Sequence, residues 1–319
     1  MERPRQSAFT LVEMLVSVAV LALMVVMVSQ LTNSAATTVG NSGKHMDADT
    51  EARLLFNRMA YETQKMVKRQ DVDYSTFKQP ASTYLTVYGG GAQPANLQNN
   101  QNDQFAFYSE TNGYFTSNTI SGSDKAPVSL IAYKVDNQLY PAGSVPVLWR
   151  LGKGLGWEPN NASGGWENMV YLPMTFDKRW PKGKLFDTTD PSYQTISPQV
   201  FRFEYTYLLK ATASKAARFS ITPWDTAATA PAHTSINGFK DVNAIVVAIA
   251  LLDSTSRVIV RDYTNLINAF PDAVDNKDIE SQWLPVLNSP SFATVAKIPQ
   301  TAASAVRVYQ RTFYLDSPQ

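Results

Sequence analysis

From Phe9 to Leu31 the chain is almost purely apolar, broken only by Thr10, Glu13, Ser17, Ser29 and Gln30. As a helix rising 1.5 Å per residue, that run spans about 34 Å. A bilayer hydrocarbon core is about 30 Å thick, so the pattern predicts a membrane helix. Its one carboxylate, Glu13, lies near one end; an acid in such a helix costs about 2.5–3.5 kcal/mol at the centre, less toward an end, and needs a partner. After Leu31 the sequence turns small and polar, with Gly40 and Gly43 as softening points. Helical periodicity then resumes from Thr50 to Gln70. Ala52, Leu55, Phe56, Met59, Thr63, Met66 and Val67 recur at three- and four-residue spacing, while Glu51, Arg53, Asn57, Arg58, Lys65 and Lys68 fill the remaining positions. That pattern predicts an amphipathic helix laying one stripe on a globular head, with Met59 and Met66 as core.

From Tyr84 the period changes to two. Tyr84–Tyr88, Phe105–Tyr108, Leu130–Val135, Val145–Leu151 and Val200–Tyr207 read as strands, the last with strict alternation. Ala244–Leu252 reads as an apolar strand, with Asp253–Ser256 as a turn into a further extended run, Arg257–Arg261. Thr264–Leu287 is helical but interrupted by Pro271, which predicts two short helices. Ala305–Leu315 is a closing strand with Val306, Val308 and Gln310 on one face and Arg307, Tyr309 and Arg311 on the other.

Composition narrows the chemistry. A net charge of +1 gives no electrostatic footprint for nucleic acid. No cysteine is present, which removes disulfides, thiolate metal sites and thiol nucleophiles. His45 and His233 are far apart and in no metal-ligand spacing, so imidazole catalysis has little to draw on. Gly89-Gly90-Gly91 lacks the Lys-Ser/Thr and following helix of a phosphate-binding loop. Asp272, Asp275 and Asp278 fall three apart, which reads as a solvated helix face rather than a calcium loop. Trp157, Trp166 and Trp180 lie in a Gly/Asn/Pro-rich segment, and Trp157 and Trp166 are the residues to test as partner or glycan contacts. Packing of those rings over a sheet edge is the plainer expectation. No catalytic constellation, metal site or cofactor motif emerges, and the expectation is a protein that is not an enzyme.

Phe9-Thr10-Leu11-Val12-Glu13, following a short leader with Arg3 and Arg5, resembles the processing site of type IV prepilins and of type II secretion pseudopilins. The resemblance implies cleavage by a prepilin peptidase between Ala8 and Phe9 and methylation of the new amino terminus at Phe9. It also implies pairing of Glu13 with the terminal amine of a neighbouring subunit. The family usually carries Gly where this chain has Ala8. Among the subfamilies, Ile131-Ala132-Tyr133-Lys134-Val135 followed by Leu148-Trp149-Arg150-Leu151 is similar to minor pseudopilins of the J type.

The implied fold is α+β, a long N-terminal helix, its first half transmembrane, packed on the antiparallel sheets of a pilin-like head. The implied divisions are a leader at 1–8, an assembly helix at 9–31, its amphipathic continuation at 32–72 and a β-rich head at 73–319. The implied setting is a single-pass bacterial inner-membrane subunit with a periplasmic head, joining other minor and major pseudopilins or pilins in the tip or initiation complex of a filament. Two other readings stay open. In one, Arg3 and Arg5, Met14–Val28 and Ser34-Ala35-Ala36 form a secretory signal peptide cut before Thr37, as for an exported enzyme. In the other, the chain is an anchored or exported binding module that uses the Trp-rich loop.

Overall fold

The computed structural model describes residues 10–67, 75–77, 102–114, 125–140, 143–155, 193–223 and 241–315. The long helix expected from the hydropathy pattern is present as α1, Leu11–Gln64, unbroken through Gly40 and Gly43. The chain divides into two compact units, Met1–Asp47 and Ala48–Gln319.

In the first unit, α1 carries its apolar side chains uncovered. Leu11, Leu15, Leu21, Val28 and Leu31 are all exposed, Leu11 by 81%. Of the described residues, this helix alone is long and apolar enough to cross a membrane. An uncovered surface of this size is stable only in lipid or against other apolar helices.

In the second unit, α1 does what its periodicity predicts. Ala48, Ala52, Leu55, Phe56, Met59 and Thr63 are buried, and Leu54 and Tyr61 face outward. Two sheets receive this stripe. The first has seven strands in the order β1-β2-β5-β6-β3-β4, with β7 also on β6. They are β1 (Ser75–Phe77), β2 (Gln104–Ser109), β3 (Gly113–Tyr114), β4 (Lys125–Ala126), β5 (Val128–Tyr140), β6 (Gly143–Leu155) and β7 (Tyr193–Ser197). All pairs are antiparallel except β3 with β6. The second sheet has the order β11-β10-β8-β9, formed by β8 (Val200–Leu209), β9 (Arg218–Ser220), β10 (Val242–Leu251) and β11 (Arg307–Tyr314), all antiparallel. Phe105, Phe107, Ile131 and Leu148 of the first sheet join Phe203, Tyr205, Ile245, Val247 and Phe313 of the second in one core under α1. The α+β architecture is therefore that of a long apolar N-terminal helix followed by antiparallel sheets.

The seam between the sheets is closed by side chains acting as backbone. Asn102 Oδ1 accepts from Phe203 N at 2.7 Å and Asp103 Oδ2 accepts from Tyr205 N at 3.0 Å. Asn102 Nδ2 and Asp103 N donate to the carbonyls of Phe201 and Phe203. The stretch of β8 that β9 does not pair thereby keeps its buried backbone groups satisfied.

A layer of short helices lies between β10 and β11. It comprises α2 (Ser254–Ile259), α3 (Thr264–Asn268), α4 (Ile279–Leu287), α5 (Phe292–Val295) and α6 (Gln300–Ala303). Leu266, Phe270, Ile279, Trp283 and Phe292 form a second core with Ala248 and Ala250 of β10. Trp283 Nε1 donates to Pro271 O at 2.8 Å, so the buried indole keeps its hydrogen bond. Sheet two is thus covered on both faces, and β10 is buried along nearly its whole length.

Several expectations need correction. Arg257–Arg261 does not continue as a strand. Asp253 Oδ1 accepts from Thr255 N and Ser256 N at 3.0 and 3.2 Å and caps α2 instead, and this cap overrides the β-branched Val258-Ile259-Val260. In β8, which alternates as expected, Arg202, Glu204 and Thr206 are all fully buried. The three aspartates do not share a helix face. Asp272 pairs with Arg202 at 2.6 Å, Asp275 accepts from Ile221 N, and Asp278 caps α4. The interruption at Pro271 is observed, with α3 and α4 on either side. The two faces of the closing strand also hold: Tyr309 and Arg311 bond to Asp49 and Asn57 of α1, while Gln310 bonds to the start of α4. Strand Tyr84–Tyr88, Gly89-Gly90-Gly91 and His233 lie outside the described residues.

Candidate functional site

Two carboxylates on α1 organise the two units. In the first unit, Glu13 sits in the opening turn, exposed to solvent. Thr10 N and Thr10 Oγ1 each donate to Glu13 Oε2 at 2.9 Å, and Glu13 N donates back to Thr10 Oγ1 at 3.3 Å. This is a reciprocal capping box, in which a Thr and an acid three residues later satisfy each other's backbone donors at the helix start. The Thr-x-x-Glu spacing was readable in the sequence, and it gives Glu13 a local role besides any contact it makes to another subunit. Ser17 Oγ follows by donating to Glu13 O at 2.7 Å. Ala8 and Phe9, the expected cleavage pair, lie outside the described residues, as do Trp157, Trp166 and Trp180.

In the second unit α1 buries Glu62, which interrupts the apolar stripe between Met59 and Met66. Arg150 Nε donates to Glu62 Oε1 at 2.8 Å and Arg150 Nη2 lies 2.5 Å from the same oxygen. Tyr133 donates its hydroxyl hydrogen to Glu62 Oε2. Arg58, one turn back and partly exposed, stands 3.4 Å from Oε1. Tyr133 and Arg150 face each other across the β5–β6 hairpin, so one cross-strand pair presents a donor to each carboxylate oxygen. Burial lowers the affinity of Arg150 for its proton, but the Glu62 carboxylate more than offsets this and holds the guanidinium above its ordinary value. Burial, and then the charge on Glu62, push the Tyr133 phenol well above its ordinary range. Both shifts hold Tyr133 and Arg150 in their protonated forms around neutral pH. The cluster ties helix to sheet through buried hydrogen bonds and a buried ion pair.

A second buried charge group lies on the other face of β8. Arg202 Nη2 stands 3.1 Å from Glu204 Oε2 and 2.6 Å from Asp272 Oδ1. Glu204 Oε1 accepts from Ala273 N at 3.1 Å, and the Trp283 ring centre is 5.8 Å from Arg202 Cζ. This network ties the α3–α4 connection to sheet two. Among the described residues no set of three or more His, Asp or Glu side chains is arranged to hold a metal ion.

Against known proteins, residues 3–29 match the family described as the prokaryotic N-terminal methylation motif. The segment contains the Ala8-Phe9 junction, the Thr10–Glu13 capping box and the first turns of α1. With the apolar helix it supports a prepilin-like subunit of the type IV pilin and pseudopilin class, anchored in a membrane. Comparison with curated proteins and with solved structures gives no match.

Proposed function

We propose that the chain is a minor pseudopilin or minor pilin, with the J type of type II secretion as the most similar subfamily. Its work is structural, incorporation at the tip or initiation complex of a filament, and no catalysis or cofactor is invoked. A prepilin peptidase cuts between Ala8 and Phe9, and Phe9 becomes the methylated terminus. The helix stays in the bacterial inner membrane with the head on the periplasmic side. Glu13 then pairs with the terminal amine of an adjacent major or minor subunit. An unpaired carboxylate among apolar helices is costly and a paired one is tolerated, so the acid acts as a register device.

The observation that carries this reading is the overlap of the methylation motif at residues 3–29 with a helix whose apolar side chains are uncovered. The secretory-signal alternative is less well supported, because α1 runs without interruption through Ser34-Ala35-Ala36. Thr37 Oγ1 donates back to Asn33 O there, as in a continuous helix.

Glu13→Ala tests the reading in cells that carry the filament machinery. The variant is expected to be processed and membrane-bound, yet to be lost from co-purified filament complexes. Unchanged incorporation would remove Glu13 from the assembly mechanism.

A further inference from the structure

Among the described residues, β11 is the outermost strand of its sheet. Leu315 N donates to Asn243 O at 2.9 Å, and the register with β10 runs without a bulge. In an antiparallel ladder, residues alternate between exchanging backbone bonds with the neighbour and facing away from it. Arg311 and Phe313 therefore bond to β10, and Thr312 and Tyr314 turn their N–H and C=O groups outward. One step earlier the helical layer reaches the strand, where Gln310 Oε1 accepts from Glu280 N and Gln310 Nε2 donates to Asp278 Oδ1. Beyond that contact the Tyr314 side chain is 64% exposed. Beside this edge lies a groove of 370 Å³, lined by Ala60, Thr63 and Gln64 of α1 and by residues 311–314.

We propose that the Thr312–Tyr314 edge and its groove accept an extended segment of a partner protein, added to the sheet as a strand and carrying an apolar and an acidic side chain two residues apart. The edge presents alternating donors and acceptors, a pattern complemented by another extended backbone, and pockets for alternate side chains then set specificity. Phe313 and Arg311 are two apart and both face α1, Phe313 in the core and Arg311 on Asn57. In an antiparallel addition, the incoming residue opposite Phe313 points into the groove over Ala60 and Thr63, where small side chains leave room for an aliphatic one. The residue two further on lies opposite Arg311, among the described residues the one charged side chain in the groove lining. Its guanidinium bonds to the neutral Asn57 Oδ1 at 2.8 Å and stands 5.8 Å from the Phe313 ring centre. A carboxylate there meets complementary charge. The inference stands on the head alone and does not depend on how the N terminus is processed.

The test uses the full chain in detergent micelles and a fluorescein-labelled peptide, Thr-Thr-Leu-Thr-Glu-Thr-Thr, with fluorescence polarisation and amide hydrogen exchange as readouts. Thr312→Pro removes an outward N–H and no bond to β10, a position where an edge strand tolerates proline. Thr312→Pro and Arg311→Glu are each expected to weaken binding by at least about tenfold. The Thr312 and Tyr314 amides are expected to exchange quickly in the free chain and slowly when peptide saturates it. No binding to the unmodified chain, equal binding to Thr312→Pro, or amides already protected in the free chain would each overturn the proposal. Protection that appears on raising protein concentration alone would also overturn it, by making a second copy of this chain the occupant. The exchange measurement on the unmodified chain decides the matter even if Thr312→Pro fails to fold.

Discussion

Arg150 Nη2 stands 2.5 Å from Glu62 Oε1, with both side chains almost wholly removed from solvent. Removing one partner of such a pair leaves the other as an uncompensated buried charge, whereas removing both does not. Glu62→Ala is expected to lower the unfolding free energy of the head by about 3–5 kcal/mol, read from urea denaturation of the full chain in micelles. The double variant Glu62→Met with Arg150→Met should cost clearly less than the sum of the single changes. Additive losses would show that the pair acts through something other than mutual compensation.

Gly152 offers a second route to the same contact. A methyl group at Gly152 would sit 2.2 Å from Arg150 Nη1 and 2.9 Å from Cζ, because positions 150 and 152 share one face of β6. Gly152→Ala should therefore displace the guanidinium and cost about 1–3 kcal/mol. In a Glu62→Ala background, where the guanidinium is no longer held, the added loss should be smaller. Equal losses in both backgrounds would mean that the methyl group strains the strand itself.

The fold should fail in alkali in a residue-specific way. Tyr133 is raised by burial and then by Glu62, Tyr309 by burial and then by Asp49, and Tyr263 by burial. In each case the folded chain holds a proton that the unfolded chain releases near the ordinary value of about 10. The stabilisation is complete below pH 10 or so and declines as pH rises from there toward the folded values. Tyr133→Phe should flatten this decline while lowering stability at neutral pH, where it removes a hydrogen bond to a buried carboxylate. Denaturation midpoints from pH 8 to 11.5 or so check it, and an unchanged alkaline slope would exclude Tyr133 as the main contributor.

The capping box at the head of α1 predicts local loosening. Thr10→Ala removes the hydroxyl that accepts from Glu13 N and donates to its carboxylate. The cost is about 1 kcal/mol, confined to the first turn. Faster amide exchange at Leu11–Glu13 without change in the head is the expected outcome, and unchanged exchange would show that other contacts hold the turn.

Sequence patterns exposed what depends on short-range period. The apolar run, the stripe on α1, the two strands bearing Tyr133 and Arg150, and the two faces of β11 all follow from spacing within a few residues. Glu62 escaped because one acid in an apolar stripe looks like a break in the pattern. Its partners lie 71 and 88 residues away, so only the packed sheet brings them to it. The buried Arg202–Glu204 pair escaped for a related reason. Alternation in β8 reads as polar outward unless a second layer is known to cover that face, and the covering helices come from beyond β10. The extended run after Leu252 was misread because three β-branched residues outweigh one capping aspartate in any count of propensity.

The proposed function requires that the chain is cut after Ala8 and that α1 remains with the head. Intact-mass and terminal-peptide mass spectrometry of the membrane-extracted protein, from cells with and without prepilin peptidase, tests this most directly. A mature chain beginning at N-methylated Phe9 only when the peptidase is present is the predicted result. A terminus at Thr37, or an identical uncut chain in both strains, would contradict it.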